Sequence, residues 1–429
     1  VTVLRQLTTT PNDTMTDAFG RGRMGLATLQ LSSVFDLARG AGARTFAHRW
    51  DSRITGTGTI TNADSGNGSA KLLTLPSGSV GTDAVTTQTK QYFQYRAGQS
   101  VLVALTFCLD TPDANAEQRV GLFDDADGLF FQVDGDGTAR FRVRSSVAGF
   151  VVNTDDVAQA SWSDDPMDGT GPSGVTLDFT KAQILVIDYQ YLGVGTCRFG
   201  WSVDGVLIWA HRAHHSNVLT GVYMRSGSLP VRYEVEATGI TGANVVVKQI
   251  CSEVAREGST VDTGVDGHVY NNTSVSLATG TTWTALLGVR LKAGNIRALL
   301  RDFLVSVQNF SGTSYAEWQL VLNPTLTAGT PWAAPLEAQV NADYSVAEWF
   351  DGGGTAASAT ITTPQAATGV RLAHGYSAGG QRGGGAVLRP TGLTLPAVAS
   401  IAGVPDEVIL LARSISGGAT VRAGLGWVE

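Results

Sequence analysis

The chain of 429 residues is too long for one ordinary core and suits two or three domains. Hydrophobic residues at 43% against charged residues at 16% exclude a disordered chain, because that much apolar surface fills real cores. A formal net charge of −7 leaves no dense Lys/Arg face to neutralise phosphates, so nucleic acid is not an expected partner.

Residues 1–40 read as an extended arm. Thr8-Thr9-Thr10-Pro11-Asn12-Asp13 breaks any helix, and a short helix over Met24–Ala38 is diluted by Ser, Thr and β-branched residues. Val1–Arg53 holds seven Arg and four Asp, a net +3, whereas Asp110–Asp168 holds thirteen acidic and four basic residues, a net −9. A basic arm ahead of an acidic domain suits docking onto an acidic neighbour, another copy of the chain included. Arg5, Phe19, Arg21, Arg23 and Arg39 are the candidate docking residues, and such an arm is expected to lie across a neighbour.

From 41 to 257 strand follows strand. Ser100–Asp110 is a near-continuous apolar run, as for a strand covered on both faces. Ala139–Arg144 alternates strictly, placing Ala139, Phe141 and Val143 inward and three arginines outward. Cys197, Phe199, Trp201 and Val203 share one face, and Asp204-Gly205 then turns the chain into Val206–Trp209, a strong hairpin signal. Val231, Tyr233 and Val235 repeat the alternation. This spacing predicts a jelly-roll-like β-sandwich.

Residues 258–268 read as a linker, and 269–429 as a C-terminal β-sandwich. Its strands are expected at Thr282–Lys292, Phe303–Phe310, Tyr315–Leu322, Val340–Phe350 and Val408–Ala412, with a flexible loop at Ser377–Gly385. The expected fold class is all-β: two jelly-roll-like β-sandwich domains with an extended N-terminal arm. No apolar run reaches the length of a membrane-spanning helix, so no membrane partner is expected.

Chemistry-bearing patterns are sparse. Cys108, Cys197 and Cys251 lie far apart in apolar runs and read as buried free thiols, with no disulfide framework or zinc site. Asp124-Asp125-Ala126-Asp127-Gly128 and Asp134-Gly135-Asp136-Gly137 resemble pieces of calcium loops. The twelfth position counted from Asp125 is Asp136, not Glu, so hairpin turns are the expected reading. His211, His214 and His215 cluster in sequence without a nearby carboxylate, and point to a polar surface or a subunit contact more than to a metal. Trp332 and Trp349, with Trp318 and Trp427, are candidates for a ligand-binding or interface surface or for core packing.

Glycoside hydrolysis needs two carboxylates facing one cleft; Glu234 and Glu236 alternate as a pair, and Asp188 is followed on its face by Gln190. An outward polar face explains them more simply. Gly375–Gly379 fits GxSxG without a following helix, and Gly169–Gly174 fits GxGxxG outside any strand–turn–helix unit. No catalytic residue, metal or cofactor is expected.

Several stretches together resemble one family. Thr16-Asp-Ala-Phe-Gly-Arg-Gly-Arg23 is similar to the DAFGRLRVS opening of tailed-phage virion structural proteins, with Gly22 where the pattern has an apolar residue. Tyr92–Ser100, Arg119–Asp125, Gly128–Gln132, Asp168–Gly174, Lys181–Ile184, Leu192–Gly195 and Leu229–Glu234 resemble the same family in the same order. The resemblance covers about 16–255 and implies membership of a virion without catalytic residues to carry over. It implies assembly in the host cytoplasm into a symmetric homo-oligomer, expected to be a trimer, against capsid, neck or tail proteins. The competing expectation is a receptor-binding fibre or tailspike adhesin for host-surface glycans, and behind it a glycan hydrolase.

Overall fold

A computed structural model describes residues 27–34, 50–63, 70–257, 266–277, 279–292, 299–311, 313–324, 326, 347–352, 360–361, 370–380, 394–396, 401 and 406–428, with the backbone alone for some strand residues, 27–34 among them. The chain divides into two compact units, Val1–Val261 and Asp262–Glu429. Both are all-β, and no helix among the described residues is long and apolar enough to cross a membrane.

The first unit runs through β1 (Ala27–Val34), β2 (Trp50–Thr55), β3 (Thr59–Ala63), β4 (Ala70–Leu75), β5 (Ala84–Thr89), β6 (Val101–Cys108), β7 (Ala116–Phe123) and β8 (Gly128–Val133). It continues with β9 (Ala139–Ser145), β10 (Val152–Ala158), β11 (Gln183–Tyr189), β12 (Cys197–Val203), β13 (Val206–Ala213), β14 (Val231–Ala237) and β15 (Val245–Glu257). One sheet has the order β13-β12-β11-β6-β15-β4-β3, with β1 added to β15; the other has the order β10-β9-β8-β7-β14-β5-β2. Their inner faces close on one core, in which Trp201 meets Phe131 edge-on at 5.0 Å and Phe141 stacks on Phe199 at 4.6 Å. This is a two-sheet sandwich.

Alternation sets the faces. Ala139, Phe141 and Val143 of β9 are buried while Arg140, Arg142 and Arg144 point away, and Val101, Val103, Leu105 and Phe107 of β6 line the core. The other face of β6 is only half-buried, so the strand is covered less completely than its apolar run suggests. Asp204 and Gly205 adopt φ of 51° and 77°, as a tight two-residue hairpin between β12 and β13 requires. In the loop before β11, a Cβ on Gly171 would lie 2.1 Å from Asp165 Oδ1, and Asp165 accepts the Met167 and Ser173 N–H groups. Glycine is needed there for close backbone approach.

One expectation for the arm is corrected over 27–34. The segment is a strand, and it pairs with its own unit rather than lying across a neighbour: Ala27 to Val34 run antiparallel to Glu257 back to Cys251. The cause is the length of β15. On one edge β15 pairs with β6; on the other, β4 covers only Val245–Gln249, and β1 takes up the backbone groups beyond it.

The second unit contains β16 (Asp266–Tyr270), β17 (Val275–Leu277), β18 (Trp283–Leu291), β19 (Leu299–Asn309), β20 (Tyr315–Leu322), β21 (Ala347–Asp351), β22 (Thr360–Ile361), β23 (Val370–Ala378), β24 (Thr394–Pro396), β25 (Glu407–Ser414) and β26 (Ala419–Val428). One sheet is ordered β16-β26-β19-β24 with β17 on β26, the other β21-β18-β25-β20-β23 with β22 on β18. Trp318, Trp349 and Trp427 fill the core between them. Strand β16 occupies the end of the stretch read as a linker; residues 258–265 lie outside the described residues, as does 381–385 of the expected loop.

Candidate functional site

Among the described residues, a dense polar constellation lies on the outer face of the β10-β9-β8-β7-β14-β5-β2 sheet. On β14, Val231, Tyr233 and Val235 enter the core, so Arg232, Glu234 and Glu236 face outward. Register places Glu234 beside Arg119 of β7 on one side and Thr86 of β5 on the other. Arg119 Nη1 donates to Glu234 Oε1 at 2.6 Å and also to Glu236 Oε2, while Nη2 reaches Glu117 Oε2 and Nε donates to Gln132 Oε1 at 2.9 Å. Arg232 donates to Gln88 Oε1 at 2.8 Å, Asp125 Oδ1 at 2.6 Å and Glu234 Oε2 at 3.2 Å. Arg53 holds Asp125 with two further bonds at 2.8 and 2.9 Å.

Glu234 is 5% exposed, and burial alone would raise its carboxyl. The guanidinium charges of Arg119 and Arg232 outweigh burial and hold it down at about 2. A carboxylate fixed in that state cannot donate a proton as a general acid at neutral pH, and its oxygens are occupied as acceptors. Glu234 and Glu236 share one guanidinium nitrogen, so they stand as close together as a pair of hydrolytic carboxylates, but with a cation bolted between them. Asp188 lies on the outer face of the opposite sheet, where it binds Arg198, whose guanidinium sits 4.5 Å over the Trp209 ring. It does not converge with Glu234.

The calcium-like turns are spent on protein donors. Asp124 accepts from the Ala126 and Asp127 N–H groups, Asp127 from Ser146 and Arg225, and Asp125 from the two arginines. Asp134 binds Arg140 and Gln132, and Asp136 caps Thr138. Among the described residues no group of three His, Cys, Asp or Glu is placed to hold a metal ion.

The three histidines take separate partners. His211 Nδ1 accepts from the Ser163 N–H at 3.2 Å and the residue is buried, which pushes its basicity down. His214 is exposed and meets Thr196 Oγ1 at 3.2 Å. His215 is 3% exposed, stacks on Tyr223 at 4.0 Å, and bridges Gly195 O and Asp155 Oδ2 at 2.8 Å each. It ties three chain segments together. Trp349, a candidate surface residue by sequence, is 2% exposed within the second core and offers no face to a ligand. Trp349→Ala is expected to cost about 3–5 kcal/mol in the second unit, read by denaturant unfolding; a loss under about 1 kcal/mol would contradict that packing. Arg5, Phe19, Arg21, Arg23, Arg39 and Trp332 lie outside the described residues.

Sequence reading missed Arg119 and Arg232 as clamps. Their only local mark is charge at alternate positions of apolar strands, whereas Arg119 and Glu234 are 115 residues apart and meet through register alone. It also missed Lys71, which is 6% exposed, with its Nζ donating to Thr87 Oγ1 at 2.8 Å and Ser52 Oγ at 3.2 Å. Burial pushes that amine down to about 8, against a smaller opposing pull from Asp51. Three more residues emerge in the second unit: Tyr315 and Tyr376 stand out at 54% and 64% exposure beside the buried Gln319.

No family model matches the sequence, and no curated protein matches it. Among solved structures, the chain is similar to a β-1,3-1,4-glucanase (lichenase) from a mouse hindgut metagenome, at 9% identity and TM-score 0.33, over 53% of this chain and 98% of that one. It is similar to a glycosyl hydrolase family protein from Mycobacterium fortuitum, at 11% identity and TM-score 0.34, over 53% of this chain and 99% of that one. It is also similar to the carbohydrate recognition domain of Emp47p, at 10% identity and TM-score 0.30, over 54% of this chain and 97% of that one. At these identities no residue is carried from them to this chain.

Proposed function

We propose that the chain is a non-catalytic structural component of a tailed-phage particle, acting through contacts with its own copies and with head, neck or tail proteins. The observation that supports this reading is the Arg119 clamp: the acids closest to a hydrolytic arrangement are neutralised by arginines and serve to brace a sheet. The ordered series of virion-protein-like stretches runs through the same sandwich, from Tyr92 to Glu234. A rigid platform with its polar face locked is suited to being gripped by neighbours.

Two measurements test it. A density map of intact particles carrying the chain is expected to show it in symmetric copies; its absence from every particle would sink the proposal. Purified full-length protein is expected to release no reducing ends from glucans or capsular polysaccharides. Turnover that disappears in Glu234→Gln would replace the structural reading with an enzymatic one.

A further inference from the structure

The second unit carries an unusual strip on the outer face of its β21-β18-β25-β20-β23 sheet. Ala316, Trp318 and Leu320 enter the core, so Tyr315, Glu317 and Gln319 of β20 point away from it. Strand β23 adds Tyr376 opposite Glu317 and His374 opposite Gln319. Tyr315 and Tyr376 are therefore diagonal neighbours on adjacent strands, a separation of about 7–8 Å. Both rings stand more than half exposed, while Glu317 at 8% and Gln319 at 4% form the floor beside them.

The floor is polar and electrically balanced. Arg413 of β25 binds Glu317 Oε2 through Nε at 2.8 Å and Nη2 at 2.7 Å, and its guanidinium lies 4.8 Å over the Trp283 ring. Gln319 Nε2 makes one long contact, 3.5 Å to Glu317 Oε1, and its Oε1 meets no hydrogen-bond donor among the described residues. A buried amide oxygen without a donor is costly, and an external hydroxyl relieves that cost.

We infer that this strip binds a neutral glycan. The C–H face of a pyranose ring lies flat on an aromatic side chain, and its hydroxyls need planar amide, carboxylate and guanidinium groups at the edge. Two tyrosines one diagonal apart fit neighbouring sugar units, and Gln319 supplies the acceptor. Because Glu317 and Arg413 cancel each other, the floor matches a neutral sugar better than an acidic one. The inference does not depend on membership of a particle, so the map of particles can fail while glycan binding stands, and the reverse.

The test is retention of the full-length chain on an array of neutral glucans, mannans and galactans, beside uronate-bearing and sialylated glycans. At least one neutral glycan is expected to bind. Tyr376→Ala and Tyr315→Ala should each weaken binding at least tenfold with unchanged unfolding midpoints, since both rings are exposed, whereas Tyr376→Phe keeps most of it. Gln319→Leu, close in volume and free of the orphaned oxygen, should fold at least as well and bind worse. Retention of acidic glycans alone, of no glycan at millimolar concentration, or equally by wild type and both alanine variants overturns the assignment.

Discussion

Arg119→Met is expected to lower the stability of the first unit by about 3–5 kcal/mol. Arg119 is 7% exposed and holds three carboxylates at once. Glu117 and Glu236 are exposed enough to turn toward water, at 22% and 41% of their side chains. Glu234, at 6%, is not; it would keep Arg232 at 3.2 Å and lose its shorter partner. Adding Glu234→Leu to Arg119→Met should restore much of the loss, because the uncompensated buried charge is then gone. Urea unfolding of the two variants checks this, and a single-variant loss under about 1 kcal/mol would show that the clamp is not structural. Acid gives a second readout. Glu234 titrates at about 2 in the fold against a reference of 4.5, so its stabilisation is fully present above 4.5 and is lost as pH falls through 2. In Glu234→Gln that part of the acid dependence, on the order of 3 kcal/mol, should disappear.

Lys71→Met should act in the opposite direction and stabilise the first unit at neutral pH by about 1–3 kcal/mol. The Lys71 amine titrates at about 8 in the fold against 10.5 as its reference. Between those values the unfolded chain binds more protons, so Lys71 makes stability rise with pH from 8 to 10.5; below 8 its destabilisation is complete. The gain from methionine is therefore greatest at pH 7 and should shrink toward zero near pH 10. Thr87 retains Asp51 O as an acceptor at 3.3 Å, which limits the damage done by removing the amine. A variant less stable than wild type at pH 7 would mean that the two hydroxyl contacts outweigh the burial of the charge.

What could be read in advance was what depends on neighbours in sequence. The alternation of Ala139–Arg144, the shared face of Cys197–Val203 and the Asp204-Gly205 turn each need only a few adjacent residues, and each appears in the fold as expected. Strand β1 was hidden because what makes Ala27–Val34 a strand is an edge more than two hundred residues away. Trp349 looked like a candidate for a surface because its burial depends on Trp318 and Trp427 arriving from strands far along the chain. The charged clamps were invisible for the same reason: Glu234 and Glu236 read as an outward polar face, and only register sets Arg119 between them. Local pattern gave the strands, and long-range pairing decided what their polar residues do.

The thirteen residues of β15 also set an order of events at the ribosome. Strand β15 is the last of its unit to be synthesised, yet β4, β6 and β1 all hydrogen-bond to it. Until about residue 257 has left the exit tunnel, the edges of β4 and β6 that it will join stay open, and β1 has no template. A nascent chain stalled earlier should be sticky and protease-sensitive, then close abruptly once this one segment emerges.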